Sequence, residues 1–386
     1  MKNGSFLWRL DRKKTLIIYF LRNYKSIIGE NSFYPEKEHK PKTQIFRDLF
    51  LHLLKYGEID YTYFVLGLDV KGTNYSDYLS FRQFMVRRDR LNMVRRDVQN
   101  NAEPSNYACL LRDKALFSVV ASSWGFPVVK DLAKMVNGEL VESEYDSMEE
   151  LLNAYHHLFI KPIDGQKGEN VFGVDLIDGK VYVDGEPSSI AETESLVKNL
   201  SKSHDLLVQL KIVQHPDIGV FHKESVNTLR VVTINHLHSS NPEDVVLVGS
   251  ELRVGCGGNH TDNVSAGGLK IGVKKDGTLA EFGFYDKEHG TKTTAHPDSK
   301  IVFEGYTVPF YNESIQVCKE FHSKLKGIHL IGWDIAITEE GPLFVEGNES
   351  CGTDFQVMFG PMKEFYDKYL PYSTEGDKYV LRTYTM

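Results

Sequence analysis

The sequence predicts an α+β fold in which a helical, aromatic-rich N-terminal region precedes a small lid-like block and a larger sheet domain. Three observations predict it. Phe46, Leu49, Phe50, Leu53 and Leu54 recur at the spacing of one helix face. Residues 172–185 (FGVDLIDGKVYVDG) join strand-like pieces at Asp-Gly, a pair that tolerates the positive φ of a tight hairpin turn. Beyond residue 206, short runs rich in Val, Ile and Leu follow one another with little helix between them.

Taken in order, residues 1–106 form the helical region. Its segment 82–96 carries six arginines (Arg82, Arg87, Arg88, Arg90, Arg95 and Arg96), expected on a solvated helix face, with an anion-binding patch as the alternative. Residues 100–106 (NNAEPSN) are the expected linker. The lid-like block, 107–205, opens with a helix over 113–124 that Gly125 and Pro127 stop. Ser147 and Glu150 frame a capping box, starting a helix that reaches about residue 157. An apolar strand over 158–160 ends in Lys161-Pro162, and a helix over about 190–201 follows the Asp-Gly hairpin. The sheet domain, 206–386, has strands expected at 206–209, 229–234, 245–254, 270–273, 279–284, 331–337 and 343–346, interrupted by a helix near 314–326.

Composition narrows the function. The chain has 386 residues, 41% hydrophobic and 25% charged, which suits an ordinary soluble protein of two or three domains. A net charge of -8 argues against nucleic acid as a partner. Cys109, Cys256, Cys318 and Cys351 lie far apart with no CxxC pair, as expected of reduced thiols in a cytoplasmic protein. No run approaches the roughly 18–20 apolar residues that span a bilayer, and no secretory signal is evident. Before Ile27, however, seven basic residues (Lys2, Arg9, Arg12, Lys13, Lys14, Arg22 and Lys25) face a single acid, Asp11. That is either a solvated first helix or a peripheral contact with anionic lipid at the inner membrane face.

The chemistry-bearing residues lie in the last two thirds of the chain. Asp334 closes Gly332-Trp333-Asp334 at the expected end of one strand, and Glu346-Gly347-Asn348 ends the next, with Glu339-Glu340-Gly341 as the turn. Residues i and i+2 of a strand share a face, so Glu346 and Asn348 project together and a hairpin sets Asp334 beside them. Two carboxylates and an amide oxygen suit Mg²⁺, a hard cation that shares its shell with phosphates. Lys161, followed by Gly165, Gln166, Lys167 and Gly168, can neutralise phosphate oxygens while flexible backbone brings N–H groups to them. This is not a Walker A loop, since no GKS or GKT ends it, and no GxGxxG opens a Rossmann unit. The histidines show no metal-ligand spacing, and Cys351 reads as a packed thiol.

Asp113-Lys114, Lys161-Pro162 with its glycine loop, Leu207-Val208-Gln209 and Asp334…Glu346-Gly347-Asn348 appear in the order of the ATP-grasp superfamily. More narrowly, residues 225–233 (SVNTLRVVT), 263–268 (NVSAGG) and 331–335 (IGWDI) resemble the sugar-transfer-associated ATP-grasp proteins, expected in cell-surface polysaccharide (capsule) biosynthesis. The resemblance covers about residues 60–360. It implies two α+β subdomains clamping ATP, with Lys114 and Lys161 on the phosphates and Gly165 to Gly168 as the loop closing over them. Gln209, Leu210, Lys211 and Ile212 would be the hinge at the adenine, with glutamine where these enzymes often carry glutamate. Asp334, Glu346 and Asn348 would hold one or two Mg²⁺, for which Mn²⁺ can substitute. Arg230 and Arg253 would face the transferred phosphoryl group, and Asn263, Ser265, Gly267 and Gly268 would line the acceptor end. The implied activity is an ATP-dependent carboxylate–amine ligase working through an acyl phosphate on small-molecule carboxylate and amine or sugar substrates. The alternatives are an ATP-dependent phosphotransferase and a non-catalytic nucleotide-binding module.

Overall fold

In the computed structural model, residues 6–93, 107–164, 170–258, 262, 267–285, 291–325, 327–352 and 354–372 are described. Short-range chemistry starts most helices. Asp113 accepts from the Leu116 amide at 2.9 Å and so caps the helix over Lys114–Ser123, and Ser189 caps the helix over Ile190–Leu200 through the Glu192 amide. Ser147 caps Met148–Tyr155 through the Glu150 amide, while the Glu150 carboxylate reaches back to the Asp146 amide at 3.0 Å. That helix stops at Tyr155, two residues short of the sequence expectation, because His156 takes φ 63° and turns the chain into the next strand.

The N-terminal region contains α1 (Phe6–Ile27), α2 (Lys42–Tyr56) and α3 (Phe81–Met93). Next come α4 (Cys109–Arg112) and α5 (Lys114–Ser123), then β1 (Asp131–Val136), β2 (Glu139–Val141), α6 (Met148–Tyr155), β3 (His157–Pro162), β4 (Phe172–Ile177), β5 (Lys180–Val183), β6 (Glu186–Ser188), α7 (Ile190–Leu200) and β7 (Leu206–Leu210). The remainder is α8 (Pro216–Gly219), β8 (Thr228–Ile234), β9 (Val246–Val254), β10 (Leu269–Val273), β11 (Leu279–Tyr285), β12 (Lys292–Thr293), α9 (Tyr311–Lys324), β13 (Leu330–Thr338), β14 (Gly341–Asn348), α10 (Phe355–Phe359) and α11 (Lys363–Tyr369).

Two antiparallel sheets result, in the orders β2-β1-β7-β3-β4-β5-β6 and β12-β11-β10-β9-β8-β13-β14. The hairpin turns follow their residues: Asp178-Gly179 and Asp184-Gly185 both take positive φ, as does Asn137-Gly138 between β1 and β2, a pair of strands the sequence reading did not anticipate. Strand β7 pairs with both β1 and β3, so the small sheet runs to residue 210 and the expected boundary at 205/206 falls inside it.

The large sheet is packed on both faces. On one face, Leu229, Val231, Trp333, Ile335 and Phe344 share a core with Phe117 and Phe126 of the α5 segment and Phe321 of α9. On the other, Val232, Ile234 and Leu330 pack with Phe84 and Leu91 of α3, Phe355 of α10 and Tyr366 of α11. The α1–α2 region joins the same body, since Phe20, Leu49 and Leu53 cluster with Phe284 and Val357. The small sheet has a separate core around Leu151, Ile160, Val174 and Val208.

The arginine run is not a solvated face. Arg88 is 1% exposed and donates to the carbonyls of Ser350 (2.6 Å) and Cys351 and to Asp89 (2.7 Å). Arg87 pairs with Asp367 at 2.7 Å, and Arg90 is buried. Arg95, Arg96 and the expected linker at 100–106 lie outside the described residues.

Candidate nucleotide and metal site

The polar floor of the site is a row running across four strands. In β8, Leu229 and Val231 enter the core, so alternation turns Thr228 and Arg230 to the opposite face. Register then sets Glu251 of β9, Arg230 of β8, Asp334 of β13 and Glu346 of β14 side by side. Asp334 lies in the middle of β13 rather than at its end, because the strand continues to Thr338. Arg230 grips Asp334 through two parallel bonds, Nε to Oδ1 and Nη2 to Oδ2 (2.6 Å). Burial works against both charges, but the pairing overrides it, raising the Arg230 pKa and, with help from Arg253, holding the Asp334 carboxyl below its usual range. Arg253 donates to Glu251 at 2.9 Å, and its Nη1 lies 3.9 Å from Asp334. Asn348 donates to Glu346 at 2.9 Å and approaches Asp334 at 3.4 Å, which ties the expected metal triad together.

Two lysines approach this row from the small sheet and α5. Lys161 sits near the end of β3, opposite Leu207 of β7, and is buried. Burial lowers its pKa to about 8, with Lys114 adding to the effect and Glu346 and Asp131 opposing it. The Lys114 amide donates to Ile163 at 3.3 Å, which joins the start of α5 to the end of β3. Phe117 of α5 packs with Phe344 of β14, and the Phe344 amide donates to the Pro127 carbonyl at 2.9 Å, so the elements that carry Lys114, Lys161 and Glu346 adjoin one another.

The motif residues around this floor act mainly as supports. Asn227 donates to the Ile218 and His222 carbonyls and to Gln214, and accepts from the Gly255 amide, locking the entries to β8 and β9. Thr228 donates to Asp262, whose carboxyl burial raises to about 6. Gly332 is required by packing, because a Cβ there would lie 2.6 Å from Cys351 Sγ and 3.4 Å from Arg230 Cδ. Gly268 is equally closed, with the Asp262 carbonyl 2.4 Å from the place a Cβ would take.

The hinge residues are placed with partners of their own. Gln209 donates to Asp131 at 2.6 Å, and Lys211 binds both Asp175 oxygens at 2.8 and 2.9 Å. The Leu210 and Lys211 amides donate to Lys130 and His157 carbonyls, so those two N–H groups belong to the sheet, and Ile212 follows directly. Lys211 is thereby held at Asp175 by its side chain, not turned toward the lysine pair. Gly165, Gln166, Lys167, Gly168, Asn263 and Ser265 lie outside the described residues.

Three further acids at the site, Glu251, Asp131 and Asp262, carry little or no mark in the sequence. Glu251 is 1% exposed and braces Arg253; the signal was E-x-R within one strand, which puts both side chains on one face. Asp131 meets Gln209 and Asp262 meets Thr228, but neither carries a local sequence mark. Cys256, His296 and Asp298 also cluster, with their potential ligand atoms within 4.8 Å of one another. His296 already accepts from the Asp298 and Ser299 amides at Nδ1 and donates to the Gly255 carbonyl at Nε2, so the group reads as a loop staple.

The sequence profile of the sugar-transfer associated ATP-grasp family matches residues 94–362. The chain belongs to that family. Its two antiparallel sheets with a charged floor on the larger one are accordingly the ATP-grasp fold, preceded by a helical region. This ATP-grasp protein is also similar to solved structures. They include D-alanyl-alanine synthetase A from Vibrio cholerae (13% identity, 71% of this chain and 66% of that one, TM-score 0.39). A D-alanine–D-alanine ligase from Bacillus anthracis complexed with ATP is another (10%, 71% and 66%, TM-score 0.34), as is carboxyaminoimidazole ribonucleotide synthase from Aspergillus clavatus complexed with ATP (10%, 62% and 45%, TM-score 0.35). The chain thus spans just under two thirds of the first of these proteins. No curated protein sequence matches significantly.

The donor set fits a hard divalent cation. Asp334 and Glu346 offer carboxylate oxygens, each with a lone pair beyond its present bond. Asn348 now turns its NH₂ toward both acids, and rotating the amide about its last bond presents oxygen instead. Arg230 and Arg253 add positive charge beside these acids, and Lys114 and Lys161 lie on the adjoining elements; charge of this kind can offset phosphate oxygens.

Proposed function

We propose that the protein is an ATP-dependent carboxylate–amine ligase working through an acyl phosphate, with a sugar-linked acid or amine among its substrates in cell-surface polysaccharide assembly. The observation that carries this reading is the row of Glu251, Arg230, Asp334 and Glu346 across four strands, in which Arg230 grips Asp334 and Asn348 bonds Glu346 at 2.9 Å. The lysines would bind and orient the phosphates, and Asp334, Glu346 and Asn348 would hold Mg²⁺, which would neutralise phosphate charge. Arg230, fixed by Asp334, and Arg253, fixed by Glu251, present rigid guanidinium groups to the γ-phosphoryl oxygens as charge redistributes. A substrate carboxylate oxygen attacks the γ-phosphorus, the bond to the bridging oxygen breaks and ADP leaves. An amine then attacks the acyl carbon, loses a proton, and inorganic phosphate departs with the electrons of the C–O bond.

No protein nucleophile is needed. Burial pushes the Cys351 thiol above its ordinary pKa and Cys256 up to about 11, so neither supplies thiolate at neutral pH. The family's association with sugar transfer supports a sugar-bearing substrate. The test is a screen of amino acids, uronic acids and amino sugars with Mg²⁺ and ATP, using carboxyl groups labelled with ¹⁸O. The ligase reading predicts ADP, coupled product and ¹⁸O in the released phosphate. A stable phosphorylated acceptor with no free phosphate would replace it with a phosphotransferase.

A further inference from the structure

The α1–α2 hairpin carries a surface that the catalytic reading leaves unused. In α1, Lys14, Ile18, Leu21, Arg22 and Lys25 are exposed and spaced to share one helix face. In α2, Arg47, Leu51, Leu54 and Lys55 repeat the pattern, and Lys42 is exposed at its start. Ile18, Leu21, Leu51 and Leu54 are 38–51% exposed, an unusual cost for four large aliphatic side chains on two adjacent helices. A groove beside them is lined by Leu21, Tyr24 and Ile28 from the first helix and its end and by Lys42, Thr43 and Phe46 of α2. The inner sides of the same helices are anchored by Phe20, Ile27, Leu49 and Leu53, so the outward residues are spare.

Charge identifies the occupant. The whole chain carries -8, yet these helices show six exposed cations: Lys14, Arg22, Lys25, Lys42, Arg47 and Lys55. Their acids are only Asp11 and Asp48, and Asp48 is taken by Lys40 and Tyr63. Large aliphatic side chains interleaved with cations, on an otherwise acidic protein, complement an apolar layer under a negative surface. Among the described residues no helix is long and apolar enough to cross a membrane. We infer that the α1–α2 surface docks the protein peripherally on an anionic lipid bilayer. The cations lie among the phosphate headgroups, and Ile18, Leu21, Leu51 and Leu54 enter the boundary beneath them.

Co-sedimentation of the full chain with vesicles tests this, comparing phosphatidylcholine alone with equal parts phosphatidylcholine and phosphatidylglycerol. Expected is binding to the mixed vesicles only, released by high salt, since each surface cation is worth about fivefold in affinity. The triple variant Lys14→Glu, Arg22→Glu, Lys25→Glu should lose at least about a hundredfold, and Ile18→Ser with Leu21→Ser should weaken binding while ATP turnover and melting temperature stay unchanged. If the variants misfold, hydrogen exchange on the unmodified protein decides, with vesicle protection expected in α1 and α2 and nowhere else. Absence of binding, equal binding to both vesicles, or protection elsewhere overturns the inference. So does light scattering that shows a dimer dissolved by Leu21→Ser, which would assign the face to a second copy of the chain.

Discussion

Lys161 is the most informative single side chain, because in the proposed site its burial would make nucleotide binding a function of pH. Its folded-state pKa is depressed to about 8, below that of an exposed lysine. Below pH 8 the ammonium is present and ATP affinity should be flat. Above it the free protein has lost the proton that the phosphates require, so the dissociation constant should rise about tenfold per pH unit. The sign for stability is opposite: above pH 8 the unfolded chain holds a proton that the folded one lacks, so folding is favoured as pH climbs toward the ordinary lysine value. Calorimetric titration of ATP from pH 6.5 to about 9.5 reads the first effect, and Lys161→Arg, always charged, should abolish the slope. A flat profile in the unmodified protein would remove Lys161 from the phosphate site. Gly332 gives a second prediction. Adding a methyl group 2.6 Å from Cys351 Sγ must displace Cys351 or the neighbouring Arg230, so Gly332→Ala should cost about 1–3 kcal/mol in urea unfolding and lower turnover more than it weakens ATP binding.

Helix α3 acts as a clamp on the strands that carry the acids. Arg88 holds the Ser350 and Cys351 carbonyls just beyond β14, while Asn92 donates to Leu330 and Glu349 carbonyls and accepts from the His329 and Leu330 amides. Arg88→Ala leaves Asp89 and two carbonyls without that donor, so urea unfolding should show a loss of about 3–5 kcal/mol. A surface arginine would show nearly none. The sequence contained a hint of this: Phe84, Arg88 and Leu91 fall at i, i+4 and i+7, which places Arg88 on the apolar stripe. Counting arginines along 82–96 without their helical phase concealed it. The β1–β2 hairpin was likewise marked by Asn137-Gly138, whereas β12 is two residues long and has no periodicity to read. The Asp334–Glu346–Asn348 grouping was legible because strand alternation and a tight turn fix it locally. The Arg230–Asp334 pair and the Gln209–Asp131 pair were not, since each depends on register between strands far apart in the chain.

At the level of the molecule, the ordered motifs foretold the ATP-grasp fold with its two sheets, but not how the N-terminal helices contribute. They share cores with the large sheet through Phe284, Val232 and Leu330 and with α10 through Val357, so removing residues 1–93 should leave a chain that fails to melt cooperatively. A fully active truncated protein would show that those contacts are dispensable. In the proposed function, Lys114 and Lys161 from one side and Asp334, Glu346 and Asn348 from the other form one site that activates ATP with a divalent metal. ADP formation by the unmodified protein and by Glu346→Ala, each with Mg²⁺ and with chelator, tests it most directly. Expected is Mg²⁺-dependent turnover that chelator abolishes, Mn²⁺ restores and Glu346→Ala lacks, although the variant remains folded. Undiminished ADP formation by Glu346→Ala would contradict it.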